Sequence, residues 1–170
     1  CAAGAVVVRH PVNLGQGAAL QTGIVYALEQ GARFIATFDA DGQHRPQDIA
    51  AMLATLKVES LDIVLGSRFL GEAEHLPSAR RMVLKAAVLF TRLTTGLKVT
   101  DTHNGLRVMT ADAARQLNLV QDRMAHASEM LAQIAERKLV YKEVPVTVSY
   151  SQYSLQKGQR LSGAFRVLAD

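Results

Sequence analysis

Residues 34–48 read Phe34-Ile-Ala-Thr-Phe-Asp39-Ala-Asp41-Gly-Gln43-His-Arg-Pro46-Gln-Asp48, an apolar strand that delivers two carboxylates and an amide to its carboxyl end. The apolar run over 34–38 suits a buried parallel strand whose end opens onto a binding crevice, which decides for an α/β fold. Asp39 and Asp41 are two apart, so a strand that persists to Asp41 sends both side chains off one face, with Gln43 reaching round from a turn that Gly42 permits. Hard oxygen donors of this kind suit magnesium, manganese or calcium rather than zinc. An EF-hand is excluded, because its sixth and twelfth positions counted from Asp39 are His44 and Ala50 where Gly and Glu are required. The alternative is a solvated strand-to-helix turn, with Pro46 at the first helical position and Asp48 near the positive helix end. The apolar strand in front of it favours a site for metal and diphosphate.

Outward from this segment the alternation continues. The pattern predicts strands over 5–9, 34–38, 62–66 and 140–148 and a short extended segment over 105–109. Between them it predicts helices over 17–30, 46–56, 78–95, from 110 onward and over 125–137. Apolar strands separated by amphipathic helices imply a parallel sheet with helices on its faces, one α/β domain over 1–170. Both ends read as cut, and a crevice of this architecture takes contributions from more than one βα unit, so the expectation is a domain fragment with part of its site missing.

The 170 residues, 49% hydrophobic and 20% charged, suffice for one globular core. Cys1 is the sole cysteine, which excludes an intrachain disulfide and Cys-rich zinc modules and favours a reducing, cytoplasmic setting. The longest strictly apolar runs, such as 86–90, fall far short of the roughly 20 residues that span a bilayer. The net charge is +4, yet the basic residues are dispersed and aromatics are only 5%, so no stacking platform for nucleic acid accompanies them. A phosphorylated substrate or an anionic membrane surface accounts for the charge.

Asn13-Leu-Gly15-Gln16-Gly17 lies between a strand pattern and a helix pattern, where backbone amides and the helix dipole meet a phosphate. The dinucleotide fingerprint would need Gly where the chain has Leu20, and no Gly-Lys-Ser/Thr occurs, so neither common nucleotide loop applies. Two readings stay open: phosphate contact by Gly15, Gln16 and Gly17, or a tight turn before a helix whose Ala18, Ala19 and Gly23 pack closely on the sheet.

Further along come Gly66-Ser-Arg68-Phe69, Asp101-Thr-His-Asn-Gly105-Leu-Arg107, Met124-Ala-His-Ala-Ser-Glu129, Glu143-Val-Pro145-Val and Tyr153-Ser-Leu-Gln-Lys157-Gly158-Gln. With the segments at 13–19 and 39–44, this ordered set resembles family 2 glycosyltransferases, and within them the dolichol- and polyprenyl-phosphate sugar transferases. The resemblance implies a GT-A type fold, here partial: a Rossmann-like, mostly parallel sheet with flanking helices. It implies inverting transfer from a nucleoside diphosphate sugar, with Mg2+ or Mn2+ held by Asp39, Asp41 and Gln43, Asp41 at the catalytic centre, and Gly15, Gln16 and Gly17 on the donor side. The family's Pro-x-Tyr-Asn-Glu and Asp-Asp-Gly-Ser motifs, which bind base and ribose, do not occur in this sequence, so the expected fragment lacks its nucleotide-recognition half.

An acceptor hydroxyl must lose a proton during transfer, whereas an acceptor phosphate arrives ionised and needs only cationic positioning. Arg68, Arg80 or Arg81, Arg107 and Lys157 fall in segments that resemble the family's substrate-binding regions, and the planar Arg fork suits phosphate. The alternative for each is an ordinary surface charge. Glu129 is the candidate base for a saccharide hydroxyl acceptor, with His126 one turn earlier to orient it; the alternative is that Ser128 and Glu129 only open an amphipathic helix. In the helix over 78–95, Arg81, Lys85 and Arg92 fall within roughly 40° of one another at about 100° per residue. That stripe either lies on an anionic bilayer, a peripheral contact at the inner membrane face beside a lipid-linked acceptor, or is the solvated side of a packed helix. A reading from a different class is a non-catalytic nucleotide-sugar-binding or assembly module.

Overall fold

The computed structural model describes residues 4–39, 41–74, 78–121 and 125–149. In chain order the elements are α1 (Gln16–Glu29), β1 (Phe34–Thr37), α2 (Pro46–Val58), β2 (Ile63–Glu74), α3 (Ser78–Thr95), β3 (Arg107–Thr110), α4 (Ala111–Gln116), α5 (His126–Glu136) and β4 (Tyr141–Ser149). The sheet order is β1-β3-β2-β4, with β3 antiparallel to both neighbours and β2 parallel to β4. Strands β1, β2 and β4 therefore share one direction, the arrangement of a partial GT-A type α/β fold, and β3 runs against them. Apolar periodicity finds a strand of four residues, but its direction depends on the side from which the preceding loop arrives. The expected run of parallel pairings is accordingly interrupted at β3.

Alternation along the strands sorts side chains into two apolar layers. Ile63, Leu65 and Met109 face one way and pack with Ile24, Ile35, Met130 and Ile134 from β1, α1 and α5. Val64 and Val108 face the other way and pack with Met52 and Leu56 of α2 and with Val146 and Val148 of β4. Complete burial of each such side chain contributes about 1.5–3 kcal/mol, which makes this sandwich the main source of stability. Local chemistry sets the helix starts: Pro46 occupies the first turn of α2, with Asp48 beside it. The Thr110 hydroxyl accepts from the Ala113 amide at 3.1 Å and caps α4.

Three sequence expectations are corrected here. Residues 5–9 form no strand: Val6, Val7 and Val8 are 64%, 71% and 49% exposed, and the segment takes no place in the described sheet. An apolar run sets a strand preference, but a strand forms only where a neighbour satisfies its backbone groups. Strand β1 ends at Thr37 rather than persisting to Asp41, so the two carboxylates do not leave one strand face. The strand predicted over 62–66 runs on to Glu74 as β2, with a register shift against β4 between Ser67 and Glu72.

Close packing at the amino end of α1 depends on Gly17. A β-carbon there would sit 1.8 Å from the Gln121 carbonyl oxygen, a backbone atom that cannot swing aside. Gly17→Ala is expected to overpack this junction and cost about 1–3 kcal/mol, read as a lowered midpoint in urea unfolding. An unchanged midpoint would show that the junction yields.

Candidate functional site

Beyond Thr37 the chain leaves the sheet and turns back at Gly42, whose φ of +79° places it in the left-handed region. The Gln43 amide donates to Asp41 Oδ1 at 3.1 Å, an Asx turn that leaves the Asp41 side chain exposed. The Ser149 amide donates to the Gln43 carbonyl at 3.0 Å and His44 bridges to Val148, so the turn is fastened to β4. Asp39 lies inward of this turn and is partly covered. Gln16 Nε2, in the first turn of α1, donates to its Oδ1 at 3.1 Å, and His44 Nε2 lies 3.8 Å from its Oδ2. His44 is the chief influence that holds the Asp39 carboxyl below its ordinary value, against the opposing effect of burial, with Arg107 and His126 adding to the depression.

Behind Asp39 runs the loop from 96 to 106, fixed by buried polar groups. Asp101 Oδ2 accepts from Arg68 Nε at 2.6 Å and from the Arg68 amide at 3.1 Å, and its Oδ1 accepts from the His103 amide at 3.2 Å. Arg68 Nη2 also donates to the His103 carbonyl at 3.0 Å. From β4, Glu143 accepts from the Thr100 and Asp101 amides at 2.7 and 3.0 Å, and the Tyr141 hydroxyl accepts from the Lys98 amide at 2.7 Å. Burial pushes the Glu143 carboxyl up, and the amide bonds oppose it. Burial likewise lowers Arg107, which is 3% exposed, while Asp39 and Asp101 counter the shift. Arg107 Nη1, Asn104 Nδ2 and His44 Nδ1 are buried without a hydrogen-bond partner among the described residues, so the interior of this site is rich in uncommitted polar atoms.

His103 gives a pH test of this packing. Its imidazole is covered and bonded through Nδ1 to the Thr102 hydroxyl at 2.7 Å, and burial holds its pKa below the ordinary 6.5. The unfolded chain therefore takes up this proton first as pH falls. The stability it contributes is complete above pH 6.5 and is lost as pH descends from there towards the folded value. The melting temperature is expected to fall below that pH, and less steeply in His103→Asn; identical acid limbs would remove His103 as a source.

Of the other residues singled out in the sequence, Gln16 meets Asp39 directly. Gly15 starts α1, its amide donating to Asn13 Oδ1 at 2.9 Å, and Gly17 makes the close junction described above. Glu129 spends its carboxylate on backbone: Oε1 accepts from the Val120 amide and Oε2 from the Gln121 amide, each at 3.0 Å. His126 is buried at the start of α5, close to Gly17. Arg68 and Arg107 are both buried. Arg81 stands apart on α3, in an open cleft of about 430 Å³ that it shares with Lys85, Arg92, Phe69, Leu89 and Thr100. The side chain of Arg80 and the whole of Lys157 lie outside the described residues.

Sequence reasoning passed over His44, Asp101, His103 and Asn104 as individual groups. For Asp101, His103 and Asn104 the signal was the polar run 101–104 set directly before an extended segment, which marks buried polar groups that need partners.

The family model described as glycosyl transferase family 2 matches residues 2–117. An uncharacterized protein of Methanocaldococcus jannaschii is 36% identical over 169 residues, covering 97% of this chain and 70% of that protein. The UDP-N-acetylglucosamine–dolichyl-phosphate N-acetylglucosaminyltransferase of Methanococcus voltae is 34% identical over 166 residues, 95% of this chain and 66% of the relative. The undecaprenyl-phosphate mannosyltransferase of Micrococcus luteus is 35% identical over 115 residues, 66% of this chain and 46% of the relative. The chain thus spans between 46% and 70% of the length of these relatives.

Proposed function

The chain belongs to glycosyl transferase family 2, and from that premise we propose that it serves an inverting, metal-dependent transfer of sugar from a nucleoside diphosphate sugar to a polyprenyl-phosphate-type acceptor. The observation that carries this reading is the pairing of a held carboxylate, Asp39, with an exposed one, Asp41, at the carboxyl end of β1. The acceptor class is supported by relatives named for dolichyl phosphate and undecaprenyl phosphate.

Among the described residues no group of three or more His, Cys, Asp or Glu side chains could hold a metal by itself. A magnesium-type ion asks for less, because it binds through one or two carboxylates and takes its remaining oxygens from substrate phosphates and water. Asp39 and Asp41 fit that donor set, with Gln43 beside them. When bound, the ion supplies neutralisation of the charge that builds on the leaving nucleoside diphosphate. The chain's own residues do the positioning: Gln16 orients Asp39, the start of α1 presents backbone amides towards phosphate, and Arg107 places a buried positive charge behind the carboxylate.

The cleft on α3 suits the acceptor. Arg81 and Lys85 offer charge to a phosphate, and Phe69, Val88 and Leu89 offer apolar wall to a polyprenyl chain. Met82, Leu89, Phe90 and Leu93 are exposed on the same helix, which suits a peripheral contact with an anionic bilayer. No described helix is long and apolar enough to cross a membrane.

The competing reading is a hydroxyl acceptor with Glu129 as base. Both Glu129 oxygens already hold backbone amides, which favours the phosphate acceptor. In the full-length protein Glu129→Gln is expected to keep kcat within about tenfold while lowering the melting temperature. A much larger loss of kcat with donor binding intact would reverse the assignment. Donor binding without any transfer by the full-length protein would leave the non-catalytic module.

A further inference from the structure

We propose that Gly105 is a positioning residue of this site: its missing side chain forms the seat of the Asp39 carboxylate and fixes the direction in which Asp39 meets a divalent ion. The proposal rests on the reading of Asp39 as a metal-binding group.

The pairing of β1 with β3 runs from Phe34↔Thr110 to Thr37↔Arg107. Continued two residues past the end of β1, that register sets Asp39 opposite Gly105. The Thr37 hydroxyl donates to the Gly105 carbonyl at 2.6 Å and holds the two segments together beyond the ladder. A β-carbon on Gly105 would lie 2.0 Å from Asp39 Oδ2, 2.7 Å from its Cγ and 3.0 Å from its Oδ1. The carboxylate therefore lies across the Gly105 α-carbon, and its three atoms are the nearest that a side chain at 105 would meet.

Gly105 is absent from the described glycines with positive φ, so its φ does not call for glycine. The demand for glycine comes from Asp39. On its other side the carboxylate is held by Gln16 Nε2 at 3.1 Å and faces His44 Nε2 at 3.8 Å. The wall of the seat is the firmer partner, since Asp101 and Glu143 fasten the loop in front of Gly105, and the Asn104 side chain accepts from the Leu106 amide at 3.0 Å just beyond it. A methyl group at 105 meets a short side chain that can rotate and a loop that cannot, so the carboxylate moves while the fold remains.

The test uses the full-length protein and Mn2+ titrated in the presence of UDP or GDP, with free Mn2+ read by electron paramagnetic resonance. Gly105→Ala is expected to weaken Mn2+ binding at least tenfold while the metal-free melting temperature stays within a few degrees of wild type. In an Asp39→Asn background the same substitution is expected to add nothing. Mn2+ affinity within twofold of wild type, or equal losses in both backgrounds, would overturn the seat. Should Gly105→Ala fold poorly, Asp39→Gly is expected to restore its melting temperature by vacating the space, and failure of that rescue would also overturn it. A wild-type protein that takes up no Mn2+ with either nucleotide removes the metal reading and the proposal together, an outcome distinct from wild-type and Gly105→Ala proteins that bind equally.

Discussion

Asp41→Ala in the full-length protein is expected to lower kcat for sugar transfer by about a hundred- to a thousandfold, the range lost when one preorganised electrostatic partner of a transition state is removed. The fold should tolerate the change. Asp41 is exposed and accepts one described backbone bond, from the Gln43 amide at 3.1 Å, so its removal costs at most about 1 kcal/mol. A large kinetic loss with a nearly unchanged melting temperature is therefore the signature of a chemical role. The measurement is a steady-state assay at saturating donor beside a thermal melt of the same preparation. Undiminished transfer would remove the mechanism, and a collapsed melt would shift the explanation to folding.

Asp101→Ala is expected to produce the largest loss of stability, about 3–5 kcal/mol, because it removes the buried carboxylate that both Arg68 Nε and the Arg68 amide bond. Asp101 and Arg68 are both almost fully covered, and Oδ2 lies 2.6 Å from Arg68 Nε. The substitution also releases the His103 amide from Asp101 Oδ1. The loop that seats Gly105 would lose its main fastening, so transfer should fall with stability. Urea unfolding with a shifted midpoint and unchanged slope checks the number. A loss below about 1 kcal/mol would mean that water reaches Arg68 and that the pair behaves as a surface ion pair.

Much of the architecture is legible in short-range pattern. The apolar run ahead of Asp39 locates β1, and Pro46 with Asp48 marks the start of α2. The helices over 78–95 and 125–137 are found to within a residue or so by apolar spacing. What escaped is information that lies between distant residues. Residues 5–9 carry a strand's composition, but strand formation depends on a neighbour that the run itself does not encode. The direction of β3 depends on how a loop returns, which the pattern of Arg107–Thr110 does not contain.

The site divides in the same way. Asp39, Asp41 and Gln43 were readable because they sit within one turn of each other. The register that sets Gly105 against Asp39, and the pairing of Arg68 with Asp101, join segments far apart in sequence. Arg68 and Arg107 were read as groups aimed at a substrate, whereas both are covered, and Arg68 is bonded to Asp101 and the His103 carbonyl. A buried arginine and a surface arginine look alike in sequence, since only the partner decides which it is.

The most direct measurement follows a radiolabelled sugar from UDP- or GDP-sugar in the presence of the full-length protein, offering polyprenyl phosphate and unphosphorylated polyprenol as parallel acceptors, with and without a chelator. The expected result is label in the polyprenyl phosphate alone, lost on chelation and restored by added Mn2+ or Mg2+. Transfer that continues undiminished in the chelator, or that takes the polyprenol as readily as its phosphate, would contradict the proposed chemistry.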